Sequence, residues 1–413
     1  MTGAALPTLP ALPARWHSEN GAPPPGGVIV ADDRLRADAA HAWAVRGTAV
    51  LWQGDYHGAR QLCSALARRA GADPHRPQVP GGTAPTTAAA AFRLHREERA
   101  RTARVAGSLL VLLEADHSLR LRRAPDVRRA CREAYGPPDG PRVVALRELL
   151  GVIGAQQWRE RGVDVPALGA RIHPHYGVFS PVRGEYVDLV ARAPLPSAVR
   201  AACPGHGTAF DLGTGSGVLA AVLARRGIGR VLATDVNPRA LACAFDNAHR
   251  LGLADRVRPV GTGLYPPGGE RAGLVVCNPP WLPARQSSPL DQGVYDPDGR
   301  MLTGFLDGLA DRLVPGGEGW LILSDLAEHL GLRSRDELNA AFAKAGLRVL
   351  GRLDTRPRHR RAVEAARAAE PSGPAGATEP AGTIRGSDGT RPGDPLRAAR
   401  AAEVTSLWRL GAS

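Results

Sequence analysis

The chain has 413 residues, of which 43% are hydrophobic, and its formal net charge is +13. No apolar run approaches the roughly 20 residues that span a bilayer, and the first residues lack the basic start and apolar stretch of a secretion signal. The five cysteines are far apart and form no C-x-x-C pair, which argues against a disulfide framework and a zinc site. We therefore expect a cytoplasmic protein with no membrane contact and no bound metal, and its oligomeric state stays open.

The length predicts two domains, at about 100 to 200 residues per domain. Residues 1–27 are rich in proline, glycine and alanine, a composition that predicts disorder. Residues 28–165 are predicted to form a mainly helical α+β domain that either recognises the substrate or only covers the next domain. Helical spacing of apolar residues occurs at 35–45, 56–66, 92–112 and 143–158, and short strand-like pieces occur at 48–52 and 118–121.

Residues 166–413 show short strands that alternate with helices, after an initial hairpin near Ile172 and Val178. This pattern predicts an α/β fold with a mostly parallel seven-stranded sheet covered on both faces. The predicted strands are 209–212, 230–234, 257–260, 274–277, 319–323, 347–353 and 404–410. The predicted helices are 182–193, 218–226, 238–251, 301–313 and 334–345. An insertion at about residues 371–392 is predicted to be disordered, because alanine, glycine, proline and arginine dominate it.

A glycine turn, residues 211–217, follows the first strand of this pattern. Asp211 closes the strand, and Gly213, Thr214, Gly215 and Gly217 come next. Glycines let a chain turn sharply and approach a ligand closely, because no Cβ stands in the way. The spacing differs from the G-x-G-x-x-G of dinucleotide folds, and no G-x-x-x-x-G-K-[ST] loop is present. The spacing resembles motif I of class I S-adenosylmethionine methyltransferases, and this resemblance implies that the turn binds a nucleotide-like methyl donor, whose ammonium group the Asp211 carboxylate can meet.

The next strand ends in a second acidic residue, Asp235, 18 positions after Gly217. A carboxylate at this place can accept hydrogen bonds from both hydroxyls of a ribose. The placement suits any ribose-bearing cofactor, so it does not separate the methyl donor from NAD.

Asn278, Pro279, Pro280 and Trp281 follow the fourth strand and form what we call the acceptor corner. Open α/β sheets bind ligands at this carboxyl edge. The Asn278 side-chain oxygen and the Pro279 carbonyl can each accept an N–H group from a planar amide or amine. Pro280 stiffens the corner by fixing φ, and Trp281 offers a flat face for stacking. The corner predicts methyl transfer to nitrogen, accelerated mainly by alignment of that nitrogen with the donor methyl.

Together the two motifs resemble those of class I S-adenosylmethionine methyltransferases. Over about residues 172–353 the chain resembles the HemK-like N5-glutamine and N6-adenine methyltransferase group. Residues 177–186 resemble the loop and helix that cover the donor in that group, and residues 234–240, which include Val236, resemble its ribose-binding turn. The resemblance implies a Rossmann-like fold, S-adenosylmethionine as cofactor, and Asn278 at both the donor and the acceptor. Trp281 stands where the glutamine enzymes usually have tyrosine, and Thr262 stands near where the family often has an acidic residue for adenine.

Three functions stay open at this point. The first is methylation of glutamine on a translation-related protein, and the second is methylation of adenine N6 or guanine N2 on ribosomal RNA or DNA. Residues 1–165 contain 23 arginines against 16 acidic residues, which suits phosphate neutralisation but equally an arginine-rich surface without nucleic-acid binding. The third is an inactive donor-binding scaffold, against which the intact Asp211, Asp235 and Asn278 argue.

Two smaller groups of residues have weaker interpretations. His173 and His175 are two positions apart with no third ligand nearby, so we interpret them as loop residues rather than a metal site. Tyr295 and Asp296 follow the acceptor corner in the chain, and they either gate it or form a plain turn.

Overall fold

The computed structural model of the protein describes residues 14–72, 85–181, 184–200, 207–284, 293–357 and 394–413. A five-stranded sheet forms the centre of the N-terminal domain, and a seven-stranded sheet forms the centre of the second. Within these ranges no helix is both long and apolar enough to cross a membrane. The insertion predicted at residues 371–392 lies outside the described residues.

The N-terminal domain has helices packed on its five-stranded sheet. Its strands are β1 (Arg15–Trp16), β2 (Gly27–Ala31), β3 (Thr48–Trp52), β4 (Leu109–Leu113) and β5 (Arg142–Ala145). Its helices are α1 (Ala37–Val45), α2 (Tyr56–Ala72), α3 (Ala88–Ala106), α4 (Arg128–Tyr135) and α5 (Leu146–Arg161). The strand order is β1-β5-β4-β3-β2, with β2, β3 and β4 parallel and β5 antiparallel to β4. The apolar strands and the inner faces of α2 and α5 form the core.

Two of the helices predicted in this domain are wrong in part, and one predicted strand is absent from the described residues. The helices predicted at 92–112 and 143–158 each run through a strand, β4 and β5 respectively. A run of four or five apolar residues fits one face of a helix as well as a buried strand, so periodicity does not separate the two. The strand predicted at 118–121 does not form, and only Leu119 makes an isolated bridge, to Leu113.

Residues 14–27 depart from the predicted disorder. Arg15 and Trp16 pair in parallel with β5, and the Trp16 indole donates a hydrogen bond to the Ala22 carbonyl at 2.8 Å. Ser18 and Asn20 donate to the buried Glu148 carboxylate at 3.1 and 3.2 Å. A proline-rich composition predicts disorder only when nothing holds the segment, and here a sheet edge and a buried carboxylate hold it. Residues 1–13 lie outside the described residues.

The second domain begins with the hairpin β6 (Val163–Val165) and β7 (Ala170–Ile172). Val178, which was predicted to belong to this hairpin, lies instead in a turn that follows it. The strands of the main sheet are β8 (Thr208–Leu212), β9 (Arg230–Thr234), β10 (Val257–Gly261), β11 (Ala272–Cys277), β12 (Leu313–Ser324), β13 (Leu347–Thr355) and β14 (Thr405–Ala412). Their order is β10-β9-β8-β11-β12-β14-β13. The first five are parallel, and β14 is antiparallel to both of its neighbours.

Helices cover both faces of this sheet, as predicted. They are α6 (Glu185–Arg192), α7 (Ser197–Arg200), α8 (Val218–Arg225), α9 (Pro238–Arg250), α10 (Arg300–Arg312), α11 (Leu326–His329) and α12 (Arg335–Lys344). One core contains residues of α6 and α8 with Trp320, and the other contains residues of α10 and α12 with Phe210. Because β8 and β11 are neighbours at the centre of the sheet, whatever follows them lies at one edge.

A further helix, α13 (Pro395–Ala402), was not predicted. Asp394 caps its N-terminus, because its side chain accepts a hydrogen bond from the backbone N–H of Leu396 at 2.9 Å. The helix packs against α3 of the N-terminal domain and against α11. The buried residues Leu396 and Ala399 belong to one cluster with Phe92. The C-terminal part of the chain thus joins the two domains.

Candidate active site

The glycine turn leads from β8 into α8. Gly213, Gly215 and Gly217 have φ values of 70°, 53° and 80°, a conformation that residues with a Cβ rarely adopt. A Cβ at Gly215 would meet nothing within 4 Å, whereas one at Gly217 would lie 3.0 Å from Ala244 of α9. Gly215 therefore faces open space, and Gly217 lets α9 pack closely against the turn.

Asp211 supports the glycine turn from inside the protein. The residue is 1% exposed, and its Oδ2 accepts hydrogen bonds from Thr214 Oγ1 at 2.7 Å and from the Ala220 N–H at 3.0 Å. Burial raises the pKa of this carboxyl to about 6. One oxygen of Asp211 thus holds the turn in shape, and its contact with the ammonium group of a donor stays a prediction.

Asp235 joins the glycine turn to the end of β9. Its Oδ2 accepts a hydrogen bond from the Gly215 N–H at 2.9 Å, and its Oδ1 accepts one from the Asn237 N–H at 2.9 Å. Burial raises the pKa of this carboxyl above its ordinary value. A carboxylate oxygen can accept two hydrogen bonds, so both oxygens keep capacity for hydroxyl groups. The next side chain, Val236, is 70% exposed beside this turn.

The acceptor corner leaves the sheet beside the glycine turn. Cys277 of β11 pairs with Leu212 of β8. Asn278 follows the first of these two residues and Gly213 follows the second, so the two motifs start side by side. Asn278 is half-buried, and Pro279 is buried. The structure therefore brings the two predicted motifs together at one edge of the sheet.

The Asn278 side chain has a fixed orientation that the sequence does not show. Its Oδ1 accepts a hydrogen bond from the Trp281 indole Nε1 at 2.9 Å. The Trp281 ring is half-buried and packs against the cores on both faces of the sheet. An amide oxygen has a second lone pair, so Oδ1 can still accept a hydrogen bond from a substrate.

Asp296 connects the acceptor corner to helix α10. Leu282, directly after the corner, pairs with Tyr295 and accepts a hydrogen bond from the Asp296 N–H at 2.9 Å. The buried Asp296 carboxylate accepts from the Met301 N–H, at 3.1 Å to Oδ1 and 3.0 Å to Oδ2, and from the Leu302 N–H at 3.2 Å. Acidic groups stabilise helix N-termini in this way. Asp296 thus holds the start of α10, so this segment is more than a plain turn. The signal for this contact in the sequence was an acidic residue directly before a proline, which is typical of a helix start.

A side chain of the N-terminal segment reaches the turn that contains Asp235. Arg239, in the first turn of α9, pairs with Glu19 at 2.6 Å and donates a hydrogen bond to the Ala134 carbonyl at 2.7 Å. The N-terminal domain therefore holds the start of α9 directly. Sequence reasoning missed this contact, because no local pattern relates positions 220 residues apart.

His173 and His175 take part in contacts between elements. His173 Nδ1 lies 2.7 Å from the Arg159 carbonyl oxygen, and His175 Nε2 lies 3.0 Å from Asp246 Oδ2. Burial lowers the pKa of His175. In the part of the chain that the structure describes, no group of three or more histidine, cysteine or acidic side chains is arranged to hold a metal ion.

The sheet order, the glycine turn and the acceptor corner at one edge define a class I methyltransferase domain. Residues 169–346 match the family model described as Methyltransferase small domain. The resemblance inferred from the motifs is thereby confirmed, as are the fold class and S-adenosylmethionine as the cofactor of this domain.

Comparison with curated proteins gives relatives of two kinds. The chain is 51% identical over 75 residues to the ribosomal protein L11 methyltransferase of Pelotomaculum thermopropionicum, covering 18% of this chain and 24% of the relative. It is 39% identical over 157 residues to the release factor glutamine methyltransferase of Bordetella pertussis, covering 34% of this chain and 53% of the relative. The chain thus spans between a quarter and about half of the length of these relatives.

Among solved structures, the chain is similar to a ribosomal protein L11 methylase from Lactobacillus delbrueckii subsp. bulgaricus. The two share 19% identity over 44% of this chain and 78% of that one, with a TM-score of 0.32.

The site fits S-adenosylmethionine in three respects. Open space lies where a Cβ at Gly215 would be, so a ligand can approach the backbone there. The Asp235 carboxylate is bonded to that same glycine, which places acceptors for ribose hydroxyls beside the open space. Val236 presents an exposed apolar surface at the next position. These are the residues that would hold the donor.

Proposed function

We propose that this protein is an S-adenosylmethionine-dependent methyltransferase that methylates the side-chain nitrogen of glutamine in a translation-related protein. The observation that carries the proposal is the position of Asn278, which follows β11 beside the glycine turn with its amide held by Trp281. The names of the relatives, a release factor glutamine methyltransferase and a ribosomal protein L11 methyltransferase, support a substrate in translation.

The acceptor corner suits a planar amide because such a nitrogen is a poor nucleophile with a delocalised lone pair. The Asn278 oxygen and the Pro279 carbonyl can accept the two N–H groups, which orients the nitrogen and stabilises positive charge that develops on it. No strong base is needed before attack, because the proton becomes acidic once the nitrogen carries the methyl group.

Trp281 has two functions in this proposal. Its indole N–H occupies one lone pair of the Asn278 oxygen, so the remaining lone pair has a defined direction toward the substrate. Its ring, fixed by both cores, offers a face on which the planar amide can stack. Preorganised acceptors of this kind lower the barrier because they need no rearrangement during the reaction.

The donor contributes a methyl group on a sulfonium centre when it is bound. The residues of this chain bind and orient it: Gly215 lets it approach the backbone, and Asp235 accepts the ribose hydroxyls. Asn278 stands between this part of the site and the substrate. We therefore expect Asp235→Ala to weaken donor binding and Asn278→Ala to spare it.

The test is methyl transfer from radiolabelled S-adenosylmethionine to purified release factors and ribosomal proteins, with mass spectrometry of the labelled residue. We expect label on glutamine, lost in Asn278→Ala and reduced in Trp281→Phe, which keeps a ring but removes the N–H donor. Calorimetry should show donor binding unchanged in Asn278→Ala. Label that appears only in RNase-sensitive material would reject the glutamine assignment in favour of a nucleobase. Equal loss of donor binding in the Asp235 and Asn278 variants would contradict the division of the site.

A further inference from the structure

A cavity of about 1270 Å³ lies beside the site, between the N-terminal domain and the loop that precedes α6. Its wall includes residues 174–178 and Ser180 of that loop, and Tyr295 next to the acceptor corner. The cavity therefore reaches the loop that resembles a donor cover and the segment that pairs with Leu282. Neither the glycine turn nor the acceptor corner lines it.

The charged residues of the cavity wall are almost all arginines. They are Arg96, Arg99, Arg101, Arg104, Arg147 and the single acidic residue Glu148. The Glu148 carboxylate already accepts hydrogen bonds from the Ser18 hydroxyl, the Glu19 N–H and the Asn20 amide, at 3.1 to 3.2 Å. Arginines thus outnumber the acidic residue of the wall five to one, and the hydrogen-bonding capacity of that carboxylate is already partly used by neutral donors.

Helix α3 presents its arginines along one side of the cavity. Arg96, Arg99, Arg101 and Arg104 line the wall, together with the small residues Ala100 and Ala103. Eight residues of α-helix extend about 12 Å, roughly the length of three to four stacked nucleotides at about 3.4 Å each. Arg99 and Arg104 are exposed, so their guanidinium groups are accessible to a ligand.

Aromatic rings complete the wall. Trp158, which is 55% exposed, and Tyr176 line it together with Trp16. At the other end, the guanidinium of Arg96 lies 4.4 Å from the centre of the Tyr295 ring. An exposed ring beside arginines can bind unpaired bases by stacking while the arginines neutralise the phosphates.

We propose that this cavity binds a segment of single-stranded nucleic acid about four nucleotides long. An acidic peptide would use the arginines but would leave the exposed Trp158 ring without a planar partner, so the wall favours nucleotides. The inference goes beyond the proposed function, because binding at this wall requires no methyl transfer. A nucleic acid held there would lie beside Tyr295, next to the acceptor corner.

The test measures fluorescence anisotropy of labelled decamers of uridine and of thymidine with the full chain, between 50 and 200 mM salt. We expect both variants Arg99→Ala and Arg104→Ala to weaken binding about two- to fivefold. Each should also reduce the slope of log affinity against log salt by about 0.7. Trp158→Ala should weaken binding by at least about fivefold through lost stacking.

The matched control is Arg120→Ala, which removes the same charge from an 80% exposed side chain of the same domain, outside the wall. This variant should bind as the unchanged protein does, and thermal unfolding should show that all variants are folded. Binding that Arg99→Ala and Arg104→Ala weaken supports the site, whether one or both oligonucleotides bind, and binding of only one shows which of the two the site accepts. The proposal is overturned if neither binds, if Arg120→Ala has the same effect as Arg99→Ala, or if a polyglutamate peptide binds more tightly than the oligonucleotides.

Discussion

Gly213 and Gly215 of the glycine turn have different surroundings. Gly215 combines a positive φ with open space on its Cβ side, and its N–H donates to Asp235. Gly213 also has a positive φ, but there a Cβ would collide with the Met301 side chain. The two glycines therefore differ: the space beside Gly215 is open, whereas the space beside Gly213 holds the flexible end of the Met301 side chain, which can shift.

Gly215→Ala should reduce the free energy of donor binding by more than it reduces the free energy of unfolding. The added Cβ would occupy the space in which we place the donor, and the backbone strain is about 1 kcal/mol. Calorimetry with S-adenosylmethionine measures the first effect, and urea unfolding measures the second. Gly227→Ala is the matched control, because Gly227 has φ of 94° and an equally open Cβ direction in the turn between α8 and β9. Equal loss of donor affinity in both variants would show that strain, not space, is responsible.

Asp211 should make the stability of the donor-free protein depend on pH. Burial raises its pKa from 3.8 to about 6, so the folded state holds the proton more tightly than the unfolded state. Stability from this group is therefore greatest below pH 4, falls as the pH rises to about 6, and stays low above that. The difference is on the order of 3 kcal/mol, at about 1.4 kcal/mol per tenfold change in proton affinity.

Asp211→Asn keeps an oxygen that can accept from Thr214 and removes the charge. We expect this variant to lose the pH-dependent decrease in the free energy of unfolding between pH 4 and 6, measured by urea titration. Asp298→Asn, at an 82% exposed side chain, should behave like the unchanged protein. A decrease of the same size in Asp211→Asn would mean that another group causes it.

The helix α13 shows how an element outside the sheet joins the domains. Asp394 caps it and Pro395 occupies its first position, a combination that favours helix initiation. Its buried face meets Phe92 of α3 and Leu330, next to α11. The same cluster contains Leu282, which directly follows the acceptor corner, so the position of the corner depends on this packing.

Leu396→Ala should destabilise the protein by about 2 to 5 kcal/mol, because Leu396 is 1% exposed within that cluster. Urea unfolding at constant pH measures the change. Ala398→Ser, on the exposed face of the same helix, should change stability by less than about 0.5 kcal/mol. If Leu396→Ala has as little effect as Ala398→Ser, α13 does not pack on the domains in solution.

The two domains contact each other around the methyltransferase site. Glu19 and Arg239 pair at the start of α9, Arg159 and Asp246 pair at 3.1 Å further along the same helix, and the α13 cluster lies near the acceptor corner. The N-terminal domain thus supports both the donor and the acceptor side. Recognition of the substrate by this domain stays a prediction.

Glu19→Gln should weaken S-adenosylmethionine binding about two- to fivefold, because the lost ion pair frees the start of α9 and with it the turn at Asp235. Calorimetry gives the dissociation constant. Asp246→Asn is the control, since it also removes a charge that pairs across the domains but more than two helical turns away from Asp235. Similar donor affinity in Glu19→Gln and the unchanged protein would show that the N-terminal segment does not affect donor binding.

Much of the site could be predicted from local patterns. The glycines at 213, 215 and 217, Asp235 at a strand end, and the Asn278–Trp281 corner are recognisable because backbone conformation and strand ends depend on neighbouring residues. The mostly parallel seven-stranded sheet followed from the alternation of strands and helices, whereas its strand order came from the structure. Periodicity failed for β4 and β5, whose short apolar runs fit a helix equally well. Composition failed for residues 14–27, and α13 was not predicted.

Contacts between distant segments required the folded chain. The pair of Glu19 with Arg239 joins positions 220 residues apart, and Arg147 of α5 faces the same cavity as the arginines of α3. Even the bond from Trp281 to Asn278, three positions away, depends on a ring held by two cores. Local patterns identified the chemistry because the backbone needs particular residues at turns and strand ends, whereas partners that are distant in sequence meet only through packing, which no short pattern records.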